Sequence, residues 1–179
     1  MKKYNTIFLD RDGTINPDPG YISSLDQFKF YDFTFPSLQR LTNDGHRFCI
    51  VTNQSGVSRG LIKLKELDRI HEYVKNQFMD NLIPLLGIYV ANDHPNSATS
   101  RRKPGDGMFI EASNDHLIDL KNSLIIGDSI NDIQAGKDLG MDSILVLTGR
   151  GSQTVIDYPD LKPNAVVNDL REAADWILK

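Results

Sequence analysis

Three short apolar runs in this 179-residue chain end in polar residues of the types that do chemistry. Ile7-Phe8-Leu9 leads into Asp10-Arg11-Asp12-Gly13-Thr14. Cys49-Ile50-Val51 leads into Thr52-Asn53-Gln54-Ser55-Gly56, and Leu124-Ile125-Ile126 into Gly127-Asp128-Ser129-Ile130-Asn131-Asp132. Asp10 and Asp12 are two apart on an extended segment, so the strand period sends both side chains one way and Arg11 the other. Two carboxylates that close need a shared cation or a proton, which implies bound Mg²⁺, one protonated acid, or both. Asp128 and Asp132 add hard oxygen ligands of the kind Mg²⁺ takes together with water and a phosphate oxygen. Thr52 offers a hydroxyl and nearby backbone N–H groups to a phosphate, and Lys103 supplies a point charge for the same group.

The elements that must position these residues follow from the apolar pattern. Short runs rich in β-branched and aromatic residues alternate with amphipathic stretches, which predicts an α/β fold with a central parallel sheet covered on both faces. Strands are expected at Thr6–Leu9, Phe48–Val51, Gly87–Val90, Ser123–Ile126, Ser143–Leu147 and Ala165–Val167. Helices are expected at Phe35–Asp44, Leu64–Asn81, Gly107–His116, Ile130–Leu139 and Leu170–Leu178. Gly45 and Gly140 stand where a left-handed residue ends a helix, and Asp169 with Glu172 reads as a capping box. Gly13–Thr34, with its Asn16-Pro17-Asp18-Pro19-Gly20 turn chemistry, reads as an irregular excursion or small hairpin, and Asn92–Gly105 as a second irregular stretch. In an open parallel sheet, ligands bind at the carboxyl ends of the strands, so the three polar strand ends are expected to meet in one site.

Length and composition narrow the function. Residues 1–179 suit one domain with a sizeable core and no room for a separate cap module. Lys plus Arg number 20 against 24 Asp plus Glu, a net charge of −4, which disfavours nucleic acid as a partner. No apolar run approaches the roughly 18 residues of a membrane span. The single cysteine, Cys49, cannot form an internal disulfide, and no signal-like segment opens the chain, so a monomer in the cytoplasm is the expected setting.

Asp-x-Asp-Gly-Thr, Thr-Asn, Lys-Pro and Gly-Asp-x-x-x-Asp, in that order, resemble the four motifs of the haloacid dehalogenase (HAD) superfamily of aspartate-nucleophile phosphotransferases. The resemblance covers essentially the whole chain, whereas Asp-x-Asp-Gly alone would also suit a calcium loop. It implies a HAD-like three-layer Rossmannoid fold, capless, and a Mg²⁺-dependent phosphomonoester hydrolase. Asp10 would be the nucleophile, and Asp12 the general acid and then base. Thr52, Asn53 and Lys103 would bind the phosphoryl group. Asp10, the backbone carbonyl of Asp12, and Asp128 would hold Mg²⁺, with Asp132 supporting them from behind. Having Asp at position 12 favours a phosphatase or mutase over members that preserve the aspartyl phosphate.

Finer features resemble one branch, the D-glycero-D-manno-heptose 1,7-bisphosphate phosphatases and related histidinol-phosphate phosphatases. These features are Leu9-Asp10-Arg11-Asp12-Gly13-Thr14-Ile15-Asn16, Gly20-Tyr21-Ile22, Asn53-Gln54-Ser55-Gly56 with Arg59-Gly60, and Arg102-Lys103-Pro104. The branch implies a small phosphorylated sugar as substrate, with the C7 phosphate of the heptose removed. Gly20, Tyr21, Gln54 and Ser55 would contact or close over the sugar, and Arg101 and Arg102 would clamp a distal phosphate. The alternatives are histidinol phosphate or another small sugar phosphate, then a phosphotransferase or mutase, then a binding protein on a retired phosphatase fold. One departure stands out. Many members of the branch carry structural zinc in the loop before Arg-Lys-Pro, on a Cys-x-His and a Cys-x-Cys pair. Here Ala91, Asp93, Thr99 and Arg101 occupy those positions, with His94 one place off, so no zinc is expected.

Each residue also has a plainer reading. Thr52 could satisfy strand-end backbone, Lys103 could be a solvated charge, and Arg101 and Arg102 a solvated face. Asp132 could simply suit the first turn of its helix. His46, His71, His94 and His116 lack metal-ligand spacing and read as core or surface fillers. Trp176 reads as packing, Cys49 as a small buried hydrophobe, and Gly149-Arg150-Gly151 as a turn.

Overall fold

A computed structural model describes residues 3–179 and contains a six-stranded, wholly parallel sheet in the order β3-β2-β1-β4-β5-β6. The strands are β1 (Thr6–Leu9), β2 (Phe48–Asn53), β3 (Leu85–Ala91), β4 (Ser123–Gly127), β5 (Asp142–Val146) and β6 (Ala165–Val167). The helices are α1 (Thr34–Asn43), α2 (Leu64–Asp80), α3 (Gly107–His116), α4 (Ile130–Leu139), α5 (Gly151–Asp157) and α6 (Leu170–Ile177). The chain builds outward from β1 to β2 and β3, then returns to the other side of β1 for β4, β5 and β6. The reversal lies between β1 and β4, the position where such sheets open a crevice at their carboxyl ends.

Strand alternation sorts the core into two layers. Ile7 and Leu9 of β1, Phe48 and Ile50 of β2 and Leu124 and Ile126 of β4 join the buried side chains of α1, α2 and α6. Phe8, Cys49, Val51 and Ile125, on the other face, join Met108, Phe109 and Ala112 of α3 and Ala135 of α4. With both faces covered, the central strands are buried at nearly every position, which is why their apolar residues read as continuous runs rather than as alternating ones.

Most predicted elements stand within a residue or two of their expected bounds, and the differences have local causes. β3 starts two residues before Gly87, because Leu85 pairs with Phe48 across an irregularity in the register. The region after Gly149 is not only a turn: Gly151 opens α5, a short helix whose largely exposed residues give no apolar stripe to read. Gly13–Thr34 contains no hairpin. It is a loop with one 3-10 turn at Leu25–Gln27, tied to Ile15, whose carbonyl accepts from Tyr31 N–H and the Thr34 hydroxyl. At α6, Asp169 caps Arg171 and Glu172 N–H as expected. Glu172 instead accepts from the backbone and side chain of Asn168, so only half of the capping box forms.

Candidate active site

The polar ends of β1, β2 and β4 converge on a cleft of about 260 Å³. Asp10, Asp12, Thr52, Asn53, Gln54, Lys103 and Asp128 form its floor, and loop residues that include Gly20, Tyr21, Ser55, Arg59, Arg102 and Arg150 form its walls. Asp10 follows β1 directly, and its backbone N–H bonds to Ile126 O of β4, so the sheet itself fixes its place.

Lys103 is the centre of the charge arrangement. It is 3% exposed, and its Nζ donates to Asp10 Oδ1 at 2.6 Å, Asp132 Oδ1 at 2.6 Å and Val51 O at 2.7 Å. All three ammonium donors are therefore spent, and the lysine acts as a fixed positive charge. Burial alone would push its pKa down, but the Asp10 and Asp132 carboxylates more than offset this and raise it. Asn53 puts Lys103 there: its side chain accepts from Lys103 N–H and donates to Lys103 O, each at 3.0 Å. The Asn53 amide, expected to meet phosphate, is thus committed to holding the lysine loop.

One carboxylate oxygen from each of Asp10, Asp128 and Asp132 lies within 4.8 Å of the others. Burial pushes the pKa of Asp10 well above its ordinary value, and the neighbouring Asp132 and Asp128 add to this while Lys103 opposes it. Burial and then the Asp132 charge push Asp128 up to about 7. Such mutual repulsion in a buried oxygen-only cluster is relieved by a divalent cation, so the donor set fits Mg²⁺. Asp132 also serves its helix, because its Oδ2 accepts from the Ser129 N–H at 3.2 Å and hydroxyl at 2.6 Å. Asp132 thus caps its helix as the plainer reading expects, while its other oxygen stands in the acidic cluster. The second Asp128 oxygen accepts from Arg150 N–H at 2.7 Å, which orients it.

Asp12 is held differently from the expectation that Arg11 points away. Arg11 curls back and pairs with Asp12 at two points, while Asn16 Nδ2 donates to Oδ1 at 2.8 Å and Gln54 Nε2 to Oδ2 at 2.7 Å. Each carboxylate oxygen thus accepts two N–H groups, which fills the four lone-pair positions of an ionised Asp. Burial raises its pKa, but Arg11, Asn16 and Gln54 more than offset this and hold it below the ordinary value. Gln54 also donates to Thr52 Oγ1 at 2.9 Å, so its amide ties Asp12 to the Thr52 hydroxyl at the end of β2.

Arg11 is fully buried, and its Nη1 faces His71 Nε2 of α2 at 2.9 Å. Burial and then the Arg11 charge depress His71 to about 3, so the ring is neutral and accepts through Nε2. Neither residue was legible as part of the site, because an Arg between two aspartates and a lone helical His give no spacing signal.

Among the other expected residues, Gly20, Tyr21, Ser55 and Arg102 line the cleft. Arg101 does not. Its Nε donates to Val90 O at 2.7 Å and its Nη1 pairs with Glu111 of α3, so its guanidinium is spent on packing the loop against the domain. Arg59 and Arg150 line the cleft unforeseen; the Arg59-Gly60 pair was visible in sequence, but nothing marked its direction.

A family model described as HAD-hydrolase-like matches residues 100–173. The chain is 34% identical over 172 residues to the D-glycero-beta-D-manno-heptose-1,7-bisphosphate 7-phosphatase of Helicobacter pylori, covering 96% of this chain and 95% of that protein. This chain belongs to the HAD-like hydrolase family. The D-glycero-alpha-D-manno-heptose-1,7-bisphosphate 7-phosphatase of Burkholderia mallei is also 34% identical to this HAD hydrolase, covering 98% and 94% of the two chains. Its fold matches that of the D,D-heptose 1,7-bisphosphate phosphatase from B. bronchiseptica, solved with magnesium and phosphate. That match has a TM-score of 0.88 and 30% identity, over 97% of this chain and 98% of that one. Among the described residues, no helix is long and apolar enough to cross a membrane.

Proposed function

We propose that this HAD hydrolase removes the C7 phosphate of D-glycero-D-manno-heptose 1,7-bisphosphate through an aspartyl phosphate on Asp10. The observation that carries the reading is the buried Asp10 carboxylate at the carboxyl end of β1, held by Lys103 and flanked by Asp12, Asp128 and Asp132. Relatives named for this substrate at 34% identity over nearly the whole chain support the choice of sugar.

Asp10 attacks phosphorus in line; its Oδ–P bond forms as the bond from phosphorus to the sugar oxygen breaks. Asp12 delivers a proton to the departing sugar oxygen, then as a carboxylate takes one from the water that attacks the aspartyl phosphate, releasing phosphate and restoring Asp10. The arrangement of four N–H donors described above is that of the carboxylate form, and with every lone pair filled it takes a proton from water in the second half only once a donor lets go. Proton delivery in the first half requires at least one donor to let go. Lys103 and the Thr52 hydroxyl oppose the charge on the equatorial oxygens. Asp10, the Asp12 carbonyl and Asp128, with Asp132 behind, would hold Mg²⁺, which would supply Lewis-acid charge neutralisation when bound. Tyr21, Gly20, Gln54 and Ser55 shape the sugar end, and Arg102 meets the second phosphate. The protein acts as one domain over residues 1–179, as a cytoplasmic monomer, without nucleic-acid or membrane partners.

The test is Mg²⁺-dependent phosphate release from both heptose bisphosphate anomers and from histidinol phosphate, with wild type and Asp10→Asn. Release confined to C7 of a heptose bisphosphate, and lost in Asp10→Asn, is the expected result. A higher kcat/KM on histidinol phosphate would move the substrate. Full activity in Asp10→Asn would remove the mechanism.

A further inference from the structure

The loop between β3 and Lys103 lacks the Cys-x-His and Cys-x-Cys pairs of the zinc-bearing members of the branch, and it is held by hydrogen bonds of its own. Asp93, at one expected ligand position, accepts with its Oδ2 from both the N–H of Thr99 at 2.7 Å and its hydroxyl at 2.5 Å. Thr99, at the next position, accepts in turn from Arg101 N–H at 3.2 Å. Arg101, at the third, anchors the loop to Val90 O of β3 and to Glu111 of α3. Zinc does not fit here. Ala91 has no donor, a guanidinium is not a ligand, and the Asp93 oxygen is already shared by two short hydrogen bonds. The far side of the loop closes tightly, with Gly107 N–H on Ser100 O at 2.9 Å and Gly105 N–H on Arg102 O at 2.7 Å.

The same loop presents Arg102 to the cleft. Arg102 Nη1 faces the carbonyl of Asp93 at 3.4 Å, so the residue that ties the loop through its side chain also backs the guanidinium through its main chain. Arg102 has the Asp93 carboxylate and then the positive charge of Arg59 as its nearest charged neighbours, and both arginines line the cleft. We propose that Asp93, Thr99 and Arg101 form a metal-free clasp that replaces the branch's zinc site and positions Arg102 for the substrate's distal phosphate. The three are positioning residues, acting through Arg102. The second half of this inference rests on the proposed bisphosphate substrate, whereas the clasp itself does not.

Three measurements test it. Elemental analysis of the purified protein is expected to find no stoichiometric zinc; one zinc retained per chain would overturn the clasp. Limited trypsin digestion is expected to cut after Arg101 or Arg102 faster in Asp93→Ala and Thr99→Val, with Asp93→Asn, which keeps an oxygen acceptor, close to wild type. Equal cutting in all four proteins would also overturn it. Kinetics then compare heptose 1,7-bisphosphate with the 7-monophosphate. Asp93→Ala should raise KM for the bisphosphate roughly tenfold, more than for the monophosphate and more than kcat changes. A merely structural loop would impair both substrates alike, and that result would overturn the positioning role. Arg102→Ala separates the two readings. If it fails to distinguish bisphosphate from monophosphate while the digestion and zinc results stand, the distal-phosphate assignment falls and the clasp survives.

Discussion

Arg11 and Asp12, neighbours in the chain, form a two-point ion pair, with Arg11 Nε 3.0 Å from Asp12 Oδ1 and Nη2 2.7 Å from Oδ2. The Arg11 side chain is fully buried while Asp12 keeps 20% of its own exposed toward the cleft. The cost of burying the guanidinium is therefore met by this carboxylate and by neutral His71.

Breaking such a pair from one side leaves an uncompensated charge. Arg11→Met should lower stability by about 3 kcal/mol in urea denaturation. Combined with Asp12→Asn it should cost less than the two single changes added together, because the second change removes a charge already left unpaired. Strict additivity would show that the two side chains do not support each other. The same pair sets a pH dependence. Asp12 is held below its ordinary value, so its stabilisation is present above the unfolded-state titration near 3.8 and is lost as pH falls through the lowered pKa.

The acidic cluster acts with the opposite sign. Asp10 and Asp128 are raised, Asp128 to about 7, so between the unfolded value of 3.8 and 7 the folded state holds a proton that the unfolded chain has lost. Metal-free protein should therefore lose stability as pH rises across that window. Mg²⁺ should flatten the loss and stabilise most at the alkaline end, where the cluster is ionised. Thermal melts from pH 5 to 8 with and without Mg²⁺ check this; parallel curves would mean that these carboxylates do not bind the ion.

Cys49 offers a check on the core. Burial pushes its thiol up to about 12, so little thiolate forms at neutral pH. A thiol reagent should fail to label the native protein and should titrate one group after unfolding. Rapid native labelling would show that the layer containing Phe8, Val51 and Phe109 opens readily.

The sheet and the polar strand ends were legible in the sequence because both are local in character. A buried parallel strand reads as an apolar run, and Asp10, Thr52 and Asp128 stand at the ends of three such runs. Arg11 was read wrongly because strand alternation fixes where a Cβ points, not where a long flexible side chain ends. Asn53 shows a related limit. A short amide after a strand looks like a phosphate donor until the Lys103 loop, 50 residues away in sequence, claims both its oxygen and its nitrogen. Arg101 and Arg102 are adjacent, yet only their distant partners, Glu111 for one and the cleft for the other, separate their roles. The motif residues Asp10, Thr52, Lys103 and Asp128 line one cleft as expected, while side-chain direction depended on contacts distant in sequence.

Gly13 packs the first motif against Asp128 of the acidic cluster. It has a φ of +87°, and a Cβ built there would fall on Asp128 Oδ2, the oxygen that also accepts from Arg150 N–H. Gly149 lies beside Gly13, with its Cα 3.1 Å from that Cβ, and a Cβ built on Gly149 would also fall on Asp128 Oδ2, so the carboxylate packs against both glycines. Gly13→Ala must strain the backbone and displace the Asp128 carboxylate together. Mg²⁺ affinity should weaken by about 10- to 100-fold, as when ligand orientation is lost. The thermal stabilisation by Mg²⁺ should shrink accordingly, and activity should recover in part at high Mg²⁺. A variant with unchanged Mg²⁺ dependence would show that Asp128 is not a ligand.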